Sequence, residues 1–365
     1  MNKKNIKALI VFRDFLSRNR GTPLRVKSLI TELHKDNEIE LYTASRDETP
    51  PFDSLHLCLS TSNIGNIFLL HKFIKENDVN IVIFHTIAAG YFIPPLWFFG
   101  GRYKKVLEMH GFFEEEARLY NDITFLKYHR NRFFYALIYR MCDLITTCSD
   151  TARDKLLKYN SNTHSVFGGV DLNLFNPSLH EGNLSDDDDR TTIKIGYAGN
   201  GRRWQGLAFL LQAFLELSKR DKSFSLQLLL SEKVNLPEIK NVFVHDALPH
   251  NEVWRFNNKC DILVIPRPNN EVNRISFPSK LMEYLASKKP VVGSKTSDIH
   301  KIIVHRESGM LYEPGDIEGF VACMLELKNP ELRAKLAHNG YELARSKYGW
   351  EIQGKLFTNL VKAVV

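Results

Sequence analysis

Short, unbroken apolar runs alternate along the chain with segments whose apolar residues recur every three or four positions. Ile6 to Phe12 is the first run, followed by the polar stretch RDFLSRNRGTP, a helical pattern from about Leu24 to His34 and the strand-like IELYT. Unbroken aliphatic runs suit strands buried on both faces, and strand–helix–strand is the unit of a doubly wound parallel sheet. The order continues with a helix over 67–77, a strand at 81–84 ending at His85, and the strand VLEM ending at His110-Gly111. An acidic helix start at Glu114 to Glu116 and the strand DLITTCS come next. A polar segment, SLHEGNLSDDDDR, then interrupts the pattern. After it the alternation restarts with TIKIGYAG, a glycine-rich turn, an amphipathic helix to about Leu217, and the runs SLQLLL, VFVH and DILVIP. There is no short fixed-period repeat; there are two halves that each open with a strand. The expectation is an α/β chain with two Rossmann-like, doubly wound domains. Their predicted bounds are 1–175 and 192–347, with a linker at 176–191 and a terminal helix at 348–365.

The stretch 277–293, FPSKLMEYLASKKPVVG, reads as a loop, a short helix and a buried strand. Pro278 or Ser279 occupies the capping positions, and Leu281, Leu285 and Ala286 share an apolar face. Lys288 and Lys289 close the last turn, and Pro290 stops the helix before Val291-Val292. A helix start offers free backbone N–H groups, which suit a phosphate. Lys280 lies in that first turn and Glu283 three residues on. A cation at a phosphate seat beside a carboxylate able to grip a ribose describes a nucleotide site. Spacing alone describes a surface Lys–Glu pair equally well.

The pattern Pro-x-Lys-x-x-Glu-Tyr-x-Ala, then Pro-Val-Val, resembles the donor-site signature of family 4 retaining glycosyltransferases with the GT-B fold. GGVDLNLFNP (168–177) and SGMLYEPGD (308–316) are similar to two further motifs of that family, so the resemblance spans nearly the whole chain. It implies two Rossmann-like domains facing a cleft, with a helix from Tyr348-Gly349-Trp350 crossing back to the first. The implied reaction moves a sugar from a nucleotide-diphosphate donor to a glycan or lipid-linked acceptor, with no metal and no other cofactor. By the same resemblance Glu283 holds the donor ribose, and the helix start at Ser279 and Lys280, with Leu281 beside them, belongs to the donor site. His110 lies near the donor sugar as a hydroxyl or phosphate partner. His245 and Leu248, in a loop with Pro249, meet the nucleobase through backbone atoms. Gly199 belongs to the loop that approaches the pyrophosphate. Its glycine spacing does not fit the dinucleotide fingerprint.

This sequence departs from the family at three positions. Asn200 and Gln205 stand where members usually carry cations, so Arg202 and Arg203 are expected to supply the charge. Ile275 stands where many have a second glutamate. The residues expected to act in the chemistry are therefore His110, Lys280 and Arg203. A nucleotide-sugar epimerase of the same fold, or a non-catalytic subunit that binds a nucleotide sugar, are the alternative readings.

Composition changes this picture little. At 365 residues and 44% apolar content the chain can bury two cores. The formal charge of +7 favours anionic partners such as nucleotide diphosphates or an acidic membrane face, and does not argue for nucleic acid. Five cysteines without a C-x-x-C pair, and no evident secretory signal, point to a cytoplasmic protein. The segment 124–141 contains Lys127, Arg130, Arg132 and Arg140 and no acid. It is expected to pack its apolar face on the sheet, with a peripheral contact to an anionic membrane as the second reading. Gly21 and Arg25, at the loop after the first strand, would border the family's cleft by the resemblance, but are expected to belong to a solvated basic loop. Glu114 to Glu116 are expected to be helix N-terminal charges favoured by the dipole, with an acceptor contact from one of them as the second reading, and Asp186 to Asp189 a solvated hinge and not a metal motif.

Overall fold

The computed structural model describes residues 6–18, 21–49, 52–100, 102–120, 122–177 and 192–365. The aspartate run and nearly all of the expected linker lie outside them. The chain divides into two units, Met1–Phe167 with Trp350–Val365, and Gly168–Gly349. The motif beginning at Gly168 thus goes with the second unit, and the terminal helix goes with the first.

In the first unit the strands are β1 (Ile6–Phe12), β2 (Ile39–Ser45), β3 (Leu55–Cys58), β4 (Ile81–His85), β5 (Lys104–Met109), β6 (Leu144–Thr147) and β7 (Thr163–Ser165). They form a parallel sheet in the order β3-β2-β1-β4-β5-β6-β7. Chain order reverses between β1 and β4, and the open ends of such strands are where α/β sheets bind ligands. One face carries Leu9, Val82, Phe84 and Leu107 against Leu70, Leu96, Tyr135 and Ile138 from three helices. The other carries Ala8, Ile10, Ile83 and Val106 against the Gly21–His34 helix and the terminal Trp350–Ala363 helix, which inserts Phe357 and Val361. Burial on both faces explains why the strands read as unbroken apolar runs.

The second unit repeats the scheme with β8 (Ile193–Gly199), β9 (Phe224–Leu230), β10 (Val242–His245), β11 (Ile262–Ile265), β12 (Val291–Ser294) and β13 (Met310–Tyr312). The order is β10-β9-β8-β11-β12-β13, again parallel, with the reversal between β8 and β11. Gly206 ends the glycine-rich turn at φ +82°, and a Cβ there would overlap the Pro266 carbonyl oxygen. This turn and the end of β11 can approach so closely only with glycine at that position.

The structure changes the setting of three of these segments. Arg25 is not in a solvated loop; it lies in the Gly21–His34 helix and is buried. Glu114 to Glu116 do stand in the first turn of the short Phe113–Leu119 helix, and two of them, Glu114 and Glu115, are buried there. Glu115 accepts from the Tyr128 hydroxyl (3.0 Å) and from Lys155 (3.3 Å), while burial pushes Glu114 up to about 7. The Phe125–Met141 helix packs Tyr128, Tyr135, Ile138 and Tyr139 inward, but its remaining large apolar residues face solvent.

Candidate functional site

In the second unit, the signature helix Lys280–Ala286 packs beside the open end of β8. Tyr284 explains the Glu-Tyr of the signature: its hydroxyl accepts from Ala198 N (2.8 Å) and meets Ala198 O (3.3 Å), tying helix to strand end. Tyr197 OH donates to Asn200 O (2.9 Å), bracing the turn. The Lys280 ammonium lies 4.4 Å from the Tyr197 ring centroid and donates to Gln205 Oε1 at 3.0 Å. A Cβ at position 199 would come within 2.5 Å of that ammonium, so Gly199 is what admits it. Burial, and then the Arg267 guanidinium, push Lys280 down to about 7.

Arg267 follows the open end of β11, across the reversal from Gly199. It is buried, stacks over Trp204 at 5.0 Å and donates to Ser276 Oγ (3.1 Å). The switch point of this sheet therefore gathers two cations, a close-approach glycine and the start of the signature helix. Arg202 and Arg203 are exposed on the turn itself. Ser279 is exposed in helical conformation and makes no side-chain cap. Leu281 is fully buried, and its N–H donates to Pro278 O (2.9 Å), so it anchors the helix and offers neither side chain nor N–H to a ligand.

Glu283 Oε1 meets His250 Nε2 at 2.9 Å. The His250 ring is itself 5.8 Å from Phe175, which is buried. Sequence reasoning singled out His245, Leu248 and Pro249 from this loop and passed over His250, its neighbour in the same stretch. His245 is exposed at the end of β10, holds Gln227 Oε1 at 2.7 Å and lies edge-on to Phe256; Leu248 is exposed. Ile275 is buried and apolar, so no carboxylate stands there.

In the first unit, a second cluster lies at the open ends of β4 and β5. Glu108 is fully buried and accepts from Arg25 through Oε1 (2.8 Å) and from His85 Nδ1 through Oε2 (3.2 Å), and it pairs with His110 Nε2. Burial alone would raise Glu108; Arg25, His110 and His85 override that and hold it well below the carboxylate range. Burial lowers His85 more than Glu108 raises it, and its Nε2 is without a partner, as suits a neutral ring. An ionised carboxylate only accepts, so both histidines present N–H to it. His110 is thereby left with Nδ1 as the ring nitrogen that Glu108 does not engage. The ligand atoms of His85, Glu108 and His110 lie within 4.8 Å of one another, the kind of group that could hold a metal. The Arg25 guanidinium on the same carboxylate opposes a second cation there, and Arg25 and the two histidines already engage both oxygens of Glu108.

The family described as Glycosyltransferase Family 4 matches residues 20–174, and the family Glycosyl transferases group 1 matches residues 192–329. The two matches together span most of the chain, which belongs to the group 1, family 4 type of glycosyltransferase. TuaH of Bacillus subtilis, named for teichuronic acid biosynthesis, is 28% identical over 203 residues, 51% of this chain and 49% of that protein. The chain thus spans about half the length of that relative. Sucrose-phosphate synthase from Thermosynechococcus elongatus has a similar structure, with a TM-score of 0.78 at 13% identity, over 98% of this chain and 99% of that one. HepE of Anabaena, solved in complex with UDP-glucose, has a TM-score of 0.72 at 12% identity, over 98% and 100% of the two chains. At such identity these likenesses establish the GT-B fold. Among the described residues no helix is long and apolar enough to cross a membrane.

Proposed function

We propose that the chain is a retaining, metal-independent glycosyltransferase that takes a sugar from a nucleotide-diphosphate donor to a glycan or lipid-linked acceptor in polysaccharide synthesis, working in the cytoplasm at a membrane face. The observation that carries the donor assignment is the meeting of Lys280, Arg267 and Gly199 at the second sheet's switch point, with Glu283 one helical turn beyond Lys280. Such a site compensates a diphosphate whose charge grows as it departs. Glu283 takes the ribose hydroxyls, and the exposed Arg202, Arg203 and Ser279 border the diphosphate. His245 and Leu248 border the base. His110, its Nε2–H committed to Glu108, accepts from a sugar hydroxyl through Nδ1. TuaH and the UDP-glucose complex of HepE support polysaccharide synthesis and a nucleotide-sugar donor.

Ile275 supplies no carboxylate and Glu271 of the same short helix faces Arg274, so deprotonation of the acceptor hydroxyl falls to the leaving phosphate. A thermal-shift screen of nucleotide sugars tests the donor, since a ligand bound only to the native state raises its melting temperature. Turnover of the stabilising donor with an acceptor, in EDTA, followed by NMR of the product anomer, tests the rest. An inverted anomer, or loss of activity in EDTA, overturns the reading; donor isomerisation without acceptor would mark an epimerase.

A further inference from the structure

One face of the first unit's sheet is roofed by the helices Asn63–Glu76, Ile93–Phe98 and Phe125–Met141. Their inward residues build the core; their outward residues are not those of a solvated surface. Along Phe125–Met141 the outward stripe is Leu126, Arg130, Phe133, Leu137 and Arg140, spaced as one helix face, with Leu126 80% and Phe133 74% exposed. The helix contains no acid. It touches the Ile93–Phe98 helix, at whose end Trp97, Phe98 and Phe99 are exposed, Phe98 to 80%. Phe99 in turn packs against Phe68 (5.7 Å) and His71 (4.8 Å) of the Asn63–Glu76 helix, which also exposes Ile64 and Lys72.

A run of large apolar side chains across three adjoining helices marks an interaction surface. Its chemistry selects the partner. Aromatic and aliphatic residues interleaved with arginine and lysine are the composition of a face that lies in an anionic lipid headgroup layer, where rings enter the interface and cations meet phosphates. A second copy meeting this face by two-fold symmetry would set Arg130 and Arg140 against their own like charges. We propose that this outer helical layer docks the enzyme flat on an anionic bilayer, with Phe98 and Phe133 entering the interface and Lys127, Arg130 and Arg140 on lipid phosphates. The proposal locates the membrane contact of the function above and rests on it.

The test is co-sedimentation of the full chain with phosphatidylcholine vesicles, with and without phosphatidylglycerol. Binding is expected only with phosphatidylglycerol and is expected to fall at high salt. Arg130→Glu with Arg140→Glu should weaken it about tenfold or more, at roughly 1 kcal/mol per cation near the surface. Phe98→Ser with Phe133→Ser should weaken it comparably. Both double variants should keep the wild-type donor thermal shift, which shows that they fold and separates failure of docking from failure of the glycosyltransferase reading. Equal binding to neutral vesicles, or none to either, overturns the proposal. So does a concentration-dependent dimer that the phenylalanine variant abolishes, which would assign the face to a second copy.

Discussion

Lys280 donates to the Gln205 side-chain oxygen at 3.0 Å, so the residue that stands where relatives of the resembled family carry a cation holds the signature lysine. Gln205 is buried and uncharged, and it positions the ammonium without the repulsion that a second lysine at that distance would bring. A diphosphate would then meet one lysine whose proton is only loosely held.

That poise gives a pH dependence with a definite sign. Lys280, pushed down to about 7, is increasingly neutral as pH rises through that value in the free enzyme, whereas a bound diphosphate favours its charged form. Donor binding should therefore take up a proton above about pH 7, and affinity should fall by up to about tenfold per pH unit there. Calorimetry in buffers of different ionisation enthalpy measures the uptake. Lys280→Met should abolish it and lower kcat more than it raises KM, because leaving-group charge grows toward the transition state.

The compensation of that charge divides unequally among the arginines. Arg267 is buried beside Lys280, while Arg202 and Arg203 are exposed on the turn. Arg267→Ala is expected to reduce kcat by about 100-fold, the scale of removing one preorganised donor in a dry site. Of Arg202→Ala and Arg203→Ala, one should reduce kcat by a smaller factor and the other should match wild type. Steady-state kinetics at saturating acceptor decides it; wild-type kcat in Arg267→Ala would place the diphosphate elsewhere.

Glu283 is held by His250 at 2.9 Å, which restrains the carboxylate before any ribose arrives. Glu283→Gln should weaken donor binding about tenfold or more, since charge-assisted hydrogen bonds contribute about 1.5–3 kcal/mol. His250→Ala should weaken it less, through KM, because it loosens the carboxylate and leaves its charge. Donor affinity unchanged in Glu283→Gln would remove that residue from the site.

The buried Arg25–Glu108 pair, with His85, should make the first unit acid-sensitive. The folded values of both Glu108 and His85 are lowered from 4.5 and 6.5, so each contributes stability above its unfolded value that is lost as pH falls. Urea unfolding should show declining stability below about pH 6.5, steepening below about 4.5. Glu108→Gln should cost about 3–5 kcal/mol at pH 7 because it leaves Arg25 buried without its counter-charge. Paired with Arg25→Met it should cost less than the sum of the two single changes, which a double-mutant cycle reads directly.

The strands, the restart of the pattern in the second half and the helix at Lys280–Ala286 were legible in the chain, because each depends on local periodicity and on where proline and glycine interrupt it. Lys280 and Glu283 could be named from spacing and resemblance for the same reason. What only the tertiary structure decided were pairings between distant positions. Arg25 reads locally as one more cation of a basic stretch; 83 residues separate it from the carboxylate that explains its burial. Gln205 read as a lost cation until Lys280, 75 residues away, was seen to donate to it, and His250 gained meaning only from Glu283, 33 residues on. The helix Phe125–Met141 carries large apolar residues and cations on every side, so its sequence does not separate an inside from an outside. The sheet beneath it chose which side to bury, and by that choice left Leu126, Phe133 and Leu137 facing out.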